Sequence, residues 1–125
     1  MTAAVYEIDA AESESLKKFL EYDPYLDKSL GEEELKKLNT DKEANVIFSR
    51  QEYSLRDGAS LGLQRGKFYL YIKANDDFLK VADAKLKKSF KSAKRASREE
   101  EEKFISVIEE EQNRGNAGIG MIFGG

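Results

Sequence analysis

Residues 67–74 (KFYLYIKA) constrain the fold more than any other stretch of this chain. Phe68, Leu70 and Ile72 point one way in an extended chain, and Tyr69, Tyr71 and Lys73 the other. Arg65-Gly66 precedes the run as a turn, and Asn75-Asp76-Asp77 follows it as a helix start. A strand so bounded needs a neighbour, and the sequence before it offers one. Residues 45–56 (NVIFSRQEYSLR) are rich in β-branched and aromatic residues. Their alternation changes phase between Phe48 and Tyr53, which predicts a bulge near Arg50-Gln51. Asp57-Gly58 is a two-residue hairpin signal, and 59–63 is a weak strand candidate interrupted by Gly62. The expectation is a hairpin or meander over 45–74.

The remaining chain reads as helix with short extended ends. Residues 2–8 (TAAVYEI) form a short strand candidate. Asp9 and Glu12 match a capping box, and Leu16, Phe19 and Leu20 follow at helical spacing, so a helix is predicted over 10–22. Pro24, the sole proline, ends it. Glu32, Glu33 and Glu34 open a second short helix and Lys36 and Lys37 close it, as the macrodipole favours. Phe78, Ala82, Leu86 and Phe90 recur every four residues and predict a third. Ser97 and Glu100 form another capping box, and Phe104, Ile105, Val107 and Ile108 mark the buried side of a fourth helix ending near Arg114. Gly115 is placed as its left-handed terminator. Residues 116–125 are read as a terminal strand or a flexible glycine-rich tail. The fold class that follows is α+β: a small antiparallel sheet, joined by terminal strands, with helices on one face and a C-terminal helical hairpin. The length fits a single domain over 1–125.

Charge changes sign abruptly where that hairpin should turn. Lys80, Lys85, Lys87, Lys88, Lys91, Lys94, Arg95 and Arg98 face one acid, Asp83. Glu99 to Glu102 and Glu109 to Glu111 then face one base, Lys103. A basic cluster at Lys85, Lys87, Lys88, Lys91, Lys94 and Arg95 is a candidate nucleic-acid or anion contact, because several cations neutralising phosphates give salt-dependent binding. The competing reading is that the two blocks satisfy each other across the hairpin. Net charge is −3, so no global field drives the chain to nucleic acid or anionic lipid.

Composition removes most catalytic chemistry. There is no histidine and no cysteine. Ser-His-Asp and Cys-His catalysis, imidazole ligands and thiolate sites are excluded. No cofactor or metal motif is found, and no catalytic residue is assigned. Residues 23–34 have the length of a calcium loop, with Asp23, Asp27 and Glu34 in ligand positions. Pro24, Tyr25 and Lys28 break its pattern. The 115–120 glycines follow a helix, whereas a phosphate cradle opens one. A cytoplasmic setting is expected, since no signal-peptide pattern and no membrane-spanning run is found. Cysteine-free, Lys- and Glu-rich composition is a mild pointer to a thermophilic source.

The functional expectation is a small non-catalytic protein-interaction or self-association module. Its partner surface is placed on Tyr69 and Tyr71, on the polar face of the sheet, and on Ile119, Met121 and Phe123. The alternative is a nucleic-acid-binding protein using the basic helix 80–98. A third reading takes Gly124-Gly125 as the diglycine end of a ubiquitin-like modifier or sulfur carrier. Against it, such domains open with a β-hairpin and a helix, whereas here two long helices come directly before the end.

Overall fold

The computed structural model describes residues 1–40 and 47–122, with the backbone alone at 38, 39 and 115–122. Four strands, β1 (Thr2–Asp9), β2 (Glu52–Asp57), β3 (Lys67–Ala74) and β4 (Lys94–Arg95), form one antiparallel sheet in the order β2-β3-β1-β4. Among the described residues four α-helices accompany it: α1 (Ser13–Glu21), α2 (Glu32–Thr40), α3 (Asp76–Ser89) and α4 (Arg98–Ile122). The class is α+β, and strand β3 has the expected bounds.

The sheet is covered on both faces. Ala4, Tyr6 and Ile8 of β1 and Leu70, Ile72 and Ala74 of β3 share a core with Leu16 and Leu20 of α1 and Ala82 and Leu86 of α3. Phe19 joins this core against Phe48 and Phe90, each ring centroid 5.2 Å away. Val5, Tyr69 and Tyr71, on the opposite face, pack against Phe104 and Ile108 of α4. Residues 4–8 of β1 are therefore all buried, as a strand with both faces covered requires.

This arrangement corrects the expected C-terminal hairpin. Helices α3 and α4 lie on opposite faces, because β4 joins the sheet edge between them and carries the chain around β1. Their apolar stripes each bury against the sheet, α3 in one core cluster and α4 in the other. Four local expectations are also corrected. Phe48–Arg50 is a 3-10 turn, which accounts for the phase change read as a bulge. Ala59–Leu61 is likewise a 3-10 turn rather than a strand. Gly58 is right-handed at φ −57, so no two-residue hairpin turn forms there. Gly58 is required for space instead, since a Cβ would stand 2.1 Å from the Gln64 carbonyl oxygen.

The Asp9/Glu12 capping box is the fourth. The Asp9 carboxylate pairs with Lys67, and Glu12 accepts from the Ser92 backbone at 3.1 Å and from its hydroxyl. Both residues tie the end of β1 to distant chain rather than capping the turn beside them. Two other predicted caps form. Asn75 accepts from the Phe78 amide at 2.7 Å. Ser97 and Glu100 close a reciprocal box, with the Glu100 amide donating to Ser97 Oγ at 3.2 Å and the Ser97 amide to Glu100 Oε1 at 3.3 Å.

The helix they open does not end at Gly115. Helix α4 continues through Ile122, so 119–122 is not a strand. Asn45, Val46 and the Phe123 and Gly124-Gly125 positions singled out above lie outside the described residues.

Candidate interaction surface

The path of α4 defines the surface. Val5, Tyr71 and Ser54 stand in one row across the sheet. Helix α4 passes from β1 over β3 to β2. Its Glu101 accepts the Val5 amide at 2.9 Å, the Phe104 ring lies 5.9 Å from Tyr71, and Arg56 of β2 pairs with Glu111 at 2.9 Å. Gln112 reaches Glu52 of β2 at 3.5 Å, the last contact with the sheet among the described side chains of α4. The helix then runs on from 113 to 122, about 15 Å at 1.5 Å per residue. Ile119 and Met121 stand on this part.

Tyr69 and Tyr71 do face away from Leu70, but they are not open: their residues are 0% and 5% exposed beneath α4. The Tyr69 hydroxyl donates to Glu100 at 2.5 Å. Burial would raise the Glu100 carboxyl, but hydrogen bonds from Tyr69, Gln64 and Ser97 outweigh it and hold the group at about 2. Burial and the same Glu100 bond push the Tyr69 phenol far up. The alternation of β3 identifies the side these tyrosines take; what covers that side comes from residues some thirty positions later, as a ring contact between 71 and 104 shows.

The basic cluster is divided. Lys94 pairs with the buried Glu7 at 3.1 Å, Arg95 with Glu101 at 2.6 Å and Lys87 with Asp83 at 3.1 Å. The Lys85 ammonium sits 5.6 Å over the Phe19 ring. Lys87, Lys88, Lys91 and Lys94 are solvent-exposed. Two ion pairs cross the charge reversal itself, Arg95–Glu101 and Arg98–Glu102 at 3.2 Å, so part of that contrast is satisfied inside the chain.

A cavity of about 570 Å³ lies between β1 and α3 and includes Tyr6, Lys80, Asp83 and Arg95. The Tyr6 hydroxyl donates to Asp83 at 2.7 Å. Burial and that bond raise the phenol far above its ordinary value. Burial opposes ionisation of Asp83, yet the Tyr6 and Lys87 bonds leave its carboxyl lowered. Both groups titrate further from neutrality than they would alone, opposite to what proton transfer near pH 7 requires. The pair is a fixed hydrogen bond.

The acidic loop is satisfied locally. Asp23 accepts from the Tyr25 amide at 3.0 Å and pairs with Arg50 at 2.9 Å, Asp27 accepts from the Ser29 amide at 2.9 Å, and Glu34 accepts from the Gly31 amide at 2.7 Å. Among the described residues no three acidic side chains gather as a metal set. No helix among them is long and apolar enough to cross a membrane. No protein-family model, curated protein or solved structure matches this chain.

Sequence reasoning did not single out β2 as a surface. Its composition, EYSLRD, shows an amphipathic strand, but only the strand order puts it at the sheet edge beneath the departing helix.

Proposed function

We propose that the protein is a non-catalytic interaction module that binds another protein, or another copy of itself, through the distal part of α4. The observation carrying this reading is the run of α4 over 113–122 past its last described sheet contact. Gly115, Gly118 and Gly120 fall in that run, and each glycine in a helix interior costs about 1 kcal/mol relative to alanine. A helix so rich in glycine gains little from its own backbone, and most helical stability in proteins comes from packing. Ile119, Met121 and Ile122 supply the apolar groups such packing uses. A cytoplasmic setting belongs to the same reading, and the cysteine-free composition is compatible with it.

The test compares the full chain with one ending at Gly115, by light scattering and by urea unfolding. The expected result is association of the full chain, alone or with a captured protein, and its loss on shortening. Monomers in both forms, with unchanged stability and no partner retained, overturn the reading.

The exposure of Lys87, Lys88, Lys91 and Lys94 supports a second reading, nucleic-acid binding along α3 and the segment after it. Titration of RNA and DNA at low and high salt separates the two. The electrostatic contribution is greatest at low salt, so no binding there ends the second reading.

A further inference from the structure

The two edges of the sheet are treated differently. On the β1 edge, Asp9 donates its amide to Ser92 Oγ at 3.0 Å, Tyr6 and Glu7 pair with β4, and Val5 gives its amide to Glu101 and accepts from the Ala96 amide at 2.9 Å. Those bonds also fix the parity of the sheet. Val5 points its backbone groups away from β3, so its partner Tyr71 points toward β2 and bonds Ser54. Tyr53 and Leu55 therefore turn their N–H and C=O groups outward, and Asp57 its N–H. No described residue bonds them, whereas the Asp57 carbonyl accepts from Ser60 at 2.7 Å.

Each side of this open edge has a hollow. On the α4 side a cavity of about 320 Å³ includes Glu52, Arg56, Tyr71, Ile108, Glu111 and Gln112. On the α1 side one of about 360 Å³ includes Lys17, Leu20, Glu21, Tyr53 and Leu55. The α4 side is acidic: Arg56 is taken up by Glu111, and Glu52 is exposed. Burial raises the Tyr71 phenol, and the negative charge of Glu52 and Glu109 raises it further. On the α1 side Tyr53 and Leu55 pack on the core, and Lys17 and Glu21 flank the hollow with opposite charges.

We propose that the outer edge of β2 accepts an extended strand from another protein, one that alternates basic and apolar residues. The backbone of that strand bonds Tyr53, Leu55 and Asp57, its basic side chains meet Glu52 and Glu111, and its apolar ones meet Leu20, Tyr53 and Leu55. An added strand lies about 4.8 Å beyond β2. A second copy fits this edge less well: Arg56 of its own β2 is already taken up by Glu111, and its Glu52 would add acid to acid.

The proposal rests on the reading of the chain as an interaction module, and names a partner for its edge strand. The test uses the full isotope-labelled chain and two eight-residue peptides, one alternating Lys and Val and one alternating Glu and Val. Backbone amide shifts and hydrogen exchange are followed by NMR. The Lys peptide is expected to shift and protect the amides of Tyr53, Leu55 and Asp57. Cross-strand charge pairs contribute up to about 1 kcal/mol, so Glu52→Lys, on an exposed position, should weaken it roughly fivefold and favour the Glu peptide. Shifts centred elsewhere, no shifts, or equal binding of both peptides overturn the proposal. Concentration-dependent shifts of the same amides without peptide overturn the assigned occupant. Light scattering of the shortened chain reads association through α4, so failure there leaves the amide result standing.

Discussion

Replacing Glu100 by glutamine should make the stability of this protein less dependent on pH. Glu100 accepts from the Tyr69 hydroxyl at 2.5 Å, Gln64 at 3.0 Å and Ser97 at both its hydroxyl, 3.0 Å, and its amide, 3.3 Å. These bonds hold its carboxyl at about 2 against the usual 4.5. A group lowered on folding stabilises the folded state above its unfolded value, and that contribution is lost as pH falls through the folded value. The window is therefore about pH 5.5 down to about 2. The full thermodynamic equivalent of such a depression is about 3 kcal/mol. Glu100 is partly exposed, and solvent screening reduces this to roughly 1–2 kcal/mol. Glutamine keeps an acceptor for Tyr69 and a capping-box side chain, so the charge is what changes. Urea unfolding at steps from pH 7 to pH 2.5 should show Glu100→Gln less stable than the parent by roughly 1–2 kcal/mol at pH 7, with the gap closing in acid. Tyr69→Phe combined with Glu100→Gln should cost less than the sum of the two, because they share one bond. A gap that stays constant with pH, or strictly additive losses, would refute the account of Glu100 as a charge stabilised by its donors.

Three further outcomes test the packing. Phe104→Ala removes a ring with 0% exposure between α4 and Tyr71, and urea unfolding should record a loss of about 3–5 kcal/mol. Gly58→Ala places a methyl 2.1 Å from the Gln64 carbonyl and 2.8 Å from the Tyr69 ring, so the melting temperature should fall by the equivalent of about 1–3 kcal/mol. Asn75→Ala deletes the acceptor for the Phe78 amide and should cost about 0.5–2 kcal/mol, whereas Asn75→Asp should retain most of the cap.

Features fixed by local chemistry were legible in the sequence. Strand β3 is bounded by Gly66, which takes φ 78, and by the Asn75 cap, and both boundaries follow from single residues with few alternatives. The Ser97/Glu100 box likewise needs only residues three apart. Asp9 and Glu12 have the same residue types and spacing, yet partners from Lys67 and Ser92 claim them first. A motif of this kind is a local offer that distant chain can outbid, and nothing in the local sequence records the rival. The candidate surface was less legible for the same reason. Alternation separates Tyr69 and Tyr71 from Leu70, but whether that side is open depends on where α4 lands. The helix lands there because the two-residue β4 turns the chain around β1, a pairing too short to leave a sequence signal. The edge position of β2 is a property of strand order and has no signature in its own residues.

The central place of β1 has a kinetic consequence. Its neighbours are β3 and β4, so Thr2 lies opposite Ala74 and Tyr6 opposite Arg95. The middle of the sheet cannot close until chain far along the sequence has arrived, and closing such loops costs entropy before any contact repays it. Refolding should therefore be slow for a chain of this size, in the millisecond-to-second range of proteins dominated by non-local pairing. During synthesis the first strand should stay unpaired on its β3 side until residue 74 has left the ribosome, holding the apolar residues of β1 in water for that interval.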